Sequence, residues 1–222
     1  MQDEQDKINN DGTTLTNSKK QRENKKGKVI VLEGLDKSGK TTQSRLIYDY
    51  YNSIFPGEVF LFDFPDYSTR IGKEIKLFLE GKVSYSNEVK HILLSANRWE
   101  KKTEIESLKN SKKIIILNRY YQSNLAYGLS NGMDLDWLMN LDKGLPKEDL
   151  VIILDIDSAV SQKRGTDNRF ELDEFEENLQ FLENVRKNYN FLAEKFNWNI
   201  INSNREVNDV FNSILDVVDS SN

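Results

Sequence analysis

The chain has 222 residues, a length that suits one α/β domain, and its 37% apolar and 30% charged residues provide one core beneath a heavily solvated surface. A formal net charge of −5 argues against a general nucleic-acid binder, whose footprint is basic, but leaves room for a small anionic ligand held by a few focused cations. Cysteine is absent, which excludes disulfides, Cys-based zinc sites and thiol catalysis, and with His91 the only histidine no His-rich metal site can form.

Residues 1–26 are polar and charged, with only Ile8 and Leu15 as isolated large aliphatics. Such a stretch cannot bury enough surface to offset its ordering entropy, so it reads as a disordered polar tail. Its basic cluster, Lys19-Lys20-Gln21-Arg22 with Lys25-Lys26, leaves a nuclear address open beside the plainer reading of solvated charge. No apolar run is long enough to span a bilayer, and the expectation is a cytoplasmic protein with neither membrane nor nucleic acid as partner.

From Lys28 the pattern changes, and residues 27–222 read as a single domain. Strands are predicted at Val29–Leu32, Val59–Phe64, Ile114–Leu117, Leu150–Leu154 and Trp198–Ile201. Near-continuous β-branched runs of this kind, separated by helical stretches, mark a parallel sheet covered on both faces. Helical periods occupy the intervals. One runs from Thr41 to about Tyr51, and another takes Val89, Ile92, Leu93, Ala96 and Trp99 after a Ser86 cap. Two more take Leu172, Phe175, Leu179, Leu182, Val185 and Tyr189, then Val207, Val210, Phe211, Ile214 and Leu215. The fold class is therefore α/β, a five-stranded parallel sheet with helices on both faces.

The first strand runs into Gly34-Leu35-Asp36-Lys37-Ser38-Gly39-Lys40-Thr41, which fits G-x-x-x-x-G-K-[ST] at every position. Its glycines let successive backbone N–H groups point at phosphate oxygens. Lys40 reaches the terminal phosphates, the Thr41 hydroxyl suits Mg²⁺, and the helix that follows adds its positive dipole end. Nucleotide binding follows from this motif, but the reaction does not, because P-loops serve GTPases, ATPases and kinases alike. No N-K-x-D guanine reader is present, and a compact chain with scattered arginines suits a small kinase.

Beyond the P-loop, the blocks Phe64-Pro65-Asp66, Ser68-Thr69, His91 to Glu100 (HILLSANRWE), Arg119-Tyr120, Ala126-Tyr127 and Gly144-Leu145-Pro146-Lys147 resemble the thymidylate kinase family in content, order and spacing. The resemblance covers the chain from Lys28 onward. It implies the P-loop NTPase fold with a short lid, and transfer of the γ-phosphoryl of ATP, as its Mg²⁺ complex, to dTMP on the route to dTTP. It also implies a homodimer with the His91-to-Glu100 helix near the interface.

By the same resemblance the donor site spans Gly34, Asp36, Lys37, Ser38, Gly39, Lys40, Thr41 and Thr42, with Arg164 and Arg169 from a lid at Lys163–Phe170. The acceptor site takes Asp36, Phe64, Tyr67, Arg70, Leu94, Arg98, Arg119, Ser123, Asn124, Tyr127 and Phe170. Lys37, Lys40 and Arg119 are the implied catalytic cations, with Thr41 and Asn118 at the metal. Asp36 would bond the sugar 3′-hydroxyl, Arg98 the thymine edge, and Tyr127 would crowd out a ribose 2′-hydroxyl.

Four positions depart from the family pattern. Asn118 replaces the aspartate of Asp-Arg-Tyr, Tyr67 an arginine that meets the dTMP phosphate, Leu94 the phenylalanine that stacks on thymine, and Glu176 a glutamine. Arg70 could stand in for Tyr67, and the Asn124 amide could read a base edge. These departures leave two alternatives open: a pyrimidine monophosphate kinase of other acceptor specificity, or a catalytically weak nucleotide-binding relative.

Overall fold

The computed structural model describes residues 27–161 and 179–221. Five strands, β1 (Lys28–Glu33), β2 (Val59–Asp63), β3 (Ile114–Asn118), β4 (Leu150–Asp155) and β5 (Asn199–Asn202), form one sheet in the order β2-β3-β1-β4-β5. Every pairing is parallel. The strand pattern expected from sequence is thus observed, with β2 ending one residue earlier, at Asp63, and β5 beginning one residue later, at Asn199.

Register explains why the runs are apolar throughout. Val29 and Val31 of β1 pair with Ile115 and Leu117 of β3, and the whole row faces a core with Leu125, Leu138, Val185 and Leu192. The alternate row, Ile30, Leu32, Ile114, Ile116, Ile152 and Leu154, faces a second core with Ile47, Val210 and Ile214. Side chains alternate across the sheet, so a strand buried on both faces has no polar row to expose.

The helices are α1 (Lys40–Ile54), α2 (Arg70–Leu79), α3 (Asn87–Glu100), α4 (Lys102–Asn110), α5 (Tyr121–Ser130), α6 (Leu135–Leu141), α7 (Leu179–Phe196) and α8 (Val207–Ser220). α1 and α8 cover one face, and α4 to α7 the other. α2, α4, α5 and α6 add to the helices expected from sequence. α5 gives no amphipathic signal because it is buried nearly all round, from Gln122 through Gly128. The predicted start of the long helix at Leu172 lies outside the described residues. No described helix is long and apolar enough to cross a membrane.

α3 forms as expected but turns the opposite way to a core helix. Its apolar stripe points outward, with Val89, Ile92 and Trp99 exposed, while Lys90, His91, Ser95, Asn97 and Arg98 are buried. Ser86 is its N-cap residue, without a side-chain cap hydrogen bond.

The strand order places β1 between β3 and β4, so the connection after β1 runs toward β2 while the connection after β3 runs the opposite way, across β1 to β4. A crevice opens at the carboxyl ends of the strands at such a point, the usual ligand position in open α/β sheets.

Candidate active site

The P-loop leaves β1 at Gly34, whose φ of +137° and close approach to β4 admit no side chain: an added Cβ would lie 2.4 Å from the Leu154 carbonyl oxygen. Lys37 also holds a positive φ, 59°, as does Arg119 at 65°, both at the site and neither a glycine. Backbone held in this region is disfavoured for L-residues and persists only where its surroundings impose it. The Ser161 hydroxyl donates to the Asp36 carbonyl at 2.7 Å, which ties the loop to the segment after β4.

One cavity of about 680 Å³ brings together residues expected from the sequence at the donor site and at the acceptor site. Asp36, Lys37, Gly39, Lys40, Thr41 and Thr42 line one end; Phe64, Tyr67, Leu94, Arg98, Ser123, Asn124 and Tyr127 line the other, with Asn118 and Arg119 in the same lining. Gly34 and Ser38 stay out of this lining and build the loop, and Arg70, exposed at the start of α2, does not line the cavity either. Arg164, Arg169, Phe170 and Glu176 lie outside the described residues, as does the lid.

Lys40 is buried, only 6% exposed, and its ammonium donates to the Gly34 and Leu35 carbonyls at 3.1 and 2.6 Å. It also lies 3.7 Å from Asp36. Arg119 forms an ion pair with the same Asp36 carboxylate, donates to Ser123 Oγ at 3.2 Å, and stacks its guanidinium 5.8 Å from the Tyr127 ring centre. Asp36 therefore gathers two of the three expected catalytic cations.

The inverted face of α3 contributes Leu94 and Arg98 to the cavity lining. Arg98 makes a buried bidentate pair with Asp142, Nε to Oδ1 at 3.0 Å and Nη2 to Oδ2 at 2.8 Å, and Ser95 Oγ donates to the same carboxylate at 2.9 Å. Asn97 Oδ1 accepts from the Asp66 amide at 2.7 Å, and its Nδ2 donates to Thr69 Oγ1 at 3.0 Å, fixing the loop after β2. Burial of His91, Ser95, Asn97 and Arg98 on one helix face is tolerable because each of the four is hydrogen-bonded.

The family described as thymidylate kinase matches residues 32–214. The chain is 36% identical to thymidylate kinase of Schizosaccharomyces pombe over 202 residues, 89% of this chain and 94% of that protein. It is 37% identical to thymidylate kinase of Plasmodium falciparum over 195 residues, covering 86% and 89% of the two chains. This chain belongs to the thymidylate kinase family. The solved structure of thymidylate kinase from Candida albicans superposes with a TM-score of 0.77 at 31% identity, covering 88% of this chain and 92% of that one.

Within this thymidylate kinase scaffold, three groups without an assigned role in the sequence hold the site together. Glu33, fully buried at the end of β1, accepts from the Tyr120 and Ser123 amides at 2.7 and 3.1 Å. Its other oxygen accepts from Ser123 Oγ at 2.6 Å and the Tyr189 hydroxyl at 2.9 Å. A carboxylate here satisfies orphan N–H groups at the start of α5 and complements the helix dipole. Asp142 orients Arg98 across 44 residues of sequence. Asp63, at the end of β2, accepts from Asn118 Nδ2 at 2.7 Å.

His91 holds Asn124 in place: Asn124 Nδ2 donates to the His91 carbonyl at 3.2 Å while its Oδ1 meets His91 Nδ1 at 2.6 Å. Asn131 Nδ2 lies 3.3 Å from His91 Nε2, so the network is complete with a neutral ring protonated at Nδ1. Burial is the main cause that pushes the imidazole pKa down to about 4. The unfolded chain then binds the extra proton first, so stability is full above about pH 6.5 and falls as pH drops toward 4. The expected loss across that window is roughly 3 kcal/mol. Urea titrations between pH 7 and pH 4 check this: His91→Gln should flatten the slope, and an equal slope in both proteins would refute it.

Proposed function

We propose that the chain is a dTMP kinase, transferring the γ-phosphoryl group of ATP to dTMP to give ADP and dTDP. The observation that carries this reading is the shared cavity: a P-loop at one end, an aromatic and polar acceptor wall at the other, and Arg119 in the same lining. An oxygen of the dTMP phosphate attacks the γ-phosphorus as the bond to the β–γ bridging oxygen breaks, and ADP leaves with that electron pair. The protein supplies position and positive charge, the main requirements of phosphoryl transfer. Lys37 and Lys40 neutralise the donor phosphates, while Arg119, tethered through Asp36 and Ser123, serves both ends. Tyr127 closes the floor beneath the sugar, its ring braced edge-on by Tyr189 at 6.5 Å.

The residues present fit a magnesium ion carried with ATP. Asn118 Oδ1 is a buried acceptor with no hydrogen-bond partner, and its amide donates to Thr41 Oγ1 at 3.3 Å. Thr41 and Asn118 would hold the ion, which when bound neutralises charge on the phosphates. Among the described residues no group of three or more His, Cys, Asp and Glu side chains is placed to hold a metal.

A coupled ADP-release assay with dTMP, dUMP, UMP and CMP as acceptors tests the reading. dTMP should give the highest kcat/KM. Preference for another monophosphate would move the acceptor assignment, and no acceptor-dependent ADP release at all would refute the kinase.

The outward stripe of α3, with Val89, Ile92 and Trp99 exposed, is the surface on which a homodimer would close. Ile92→Glu should convert a dimer to a monomer in sedimentation velocity without loss of helicity. A parent protein that sediments as a monomer would remove this reading.

A further inference from the structure

We infer that Asp63 is a positioning residue for the divalent cation: its carboxylate supplies the negative charge that Asn118 lacks and turns the Asn118 carbonyl toward the metal. The inference rests on the phosphoryl-transfer reading of the cavity.

Asp63 and Asn118 are register partners at the carboxyl ends of the adjacent parallel strands β2 and β3. Both line the cavity beside Thr41. The hydrogen bond between them has one possible sense. A carboxylate cannot donate, so the Asn118 amide nitrogen faces Asp63 at 2.7 Å and the amide oxygen is turned away from it. The same nitrogen reaches Thr41 Oγ1 at 3.3 Å. This leaves Asn118 Oδ1, on a side chain only 8% exposed, as a buried acceptor without a partner. Buried acceptors are nearly always satisfied, so one left open inside a ligand cavity points to a donor that arrives with the ligand. A water of a hydrated cation is such a donor.

Charge points the same way. Lys37, Lys40 and Arg119 make this cavity attractive to a polyphosphate, yet Asp63 is exposed within it. Among the described residues its side chain makes one hydrogen bond, to Asn118, and no ion pair. An exposed carboxylate there repels phosphate unless a cation lies between them. Asp36, the other carboxylate of the lining, is already paired with Lys40 and Arg119, so Asp63 is the one available to the metal. Outer carboxylates of this kind tune metal affinity through the ligands and waters they hold.

The test is calorimetric binding of the imidodiphosphate analogue of ATP across a magnesium series and in EDTA. Asp63→Asn keeps the hydrogen bond to Asn118 and removes only charge. It should raise the magnesium concentration for half-maximal enhancement of nucleotide binding by roughly 10- to 100-fold. Affinity in EDTA should stay the same or tighten, a result that a merely structural role would not produce. The charge-exchanged pair Asp63→Asn with Asn118→Asp should recover the parent magnesium midpoint. A single variant with the parent midpoint, a loss of equal size in EDTA, or a double variant no better than the single would each overturn the inference. If the parent itself binds no nucleotide at any magnesium concentration, the phosphoryl-transfer reading falls first and the inference with it.

Discussion

Lys40→Met should lower kcat by at least about 10³-fold, because it removes a preorganised cation from the transferring phosphoryl group in a site where charge neutralisation dominates the chemistry. Methionine retains the apolar stem in its slot. Lysine here is buried rather than solvent-facing, so truncation to alanine would also leave a void beneath the loop. The ammonium donates to two P-loop carbonyls and lies near Asp36, and its loss frees those groups toward the cavity and not toward the apolar core. The melting temperature should therefore change little while turnover collapses. Single-turnover kinetics with saturating ATP and dTMP separate the effect from binding, and a variant with more than a tenth of parental kcat would refute the role.

Glu33→Leu should destabilise the fold by roughly 3–5 kcal/mol, the cost of stranding buried partners of an ionic group. Four donors lose their acceptor at once: the Tyr120 and Ser123 amides, the Ser123 hydroxyl and the Tyr189 hydroxyl. The Ser123 hydroxyl also accepts from Arg119, so the Arg119 guanidinium loses one of its supports in the same step and keeps its pairing with Asp36. Glu33→Gln separates the two roles. Its carbonyl can still accept from both amides and its NH₂ can donate to two hydroxyls that rotate to suit, so the loss should be only about 1–2 kcal/mol. Equal destabilisation in both variants, measured by urea unfolding, would show that charge rather than hydrogen bonding is what Glu33 contributes.

Much of this architecture was legible along the chain. The three central strands β1, β3 and β4 carry near-continuous apolar runs because both faces of the sheet are covered there, and the Gly34-to-Thr41 motif lies between the first such run and a helix. Local chemistry specifies those features: a glycine where backbone approaches backbone, a hydroxyl and an amine at fixed offsets along one loop. α3 shows the limit. The spacing of Val89, Ile92, Leu93, Ala96 and Trp99 correctly marks a helix, but periodicity cannot say which face meets the protein. Here the buried face is the polar one, since its groups find partners across the fold.

The sequence by itself determined the sheet, the P-loop and the family to which the chain belongs, because those depend on residues near one another and on motifs of fixed order. The tertiary structure alone decided that Glu33 holds the start of α5, that Asp142 locks Arg98, and that Asp63 stands beside Asn118. The first two pairings join residues 87 and 44 positions apart, and the third joins residues 55 apart. Buried charge finds its partner wherever the chain returns to the same point in space, and sequence spacing carries no trace of that encounter.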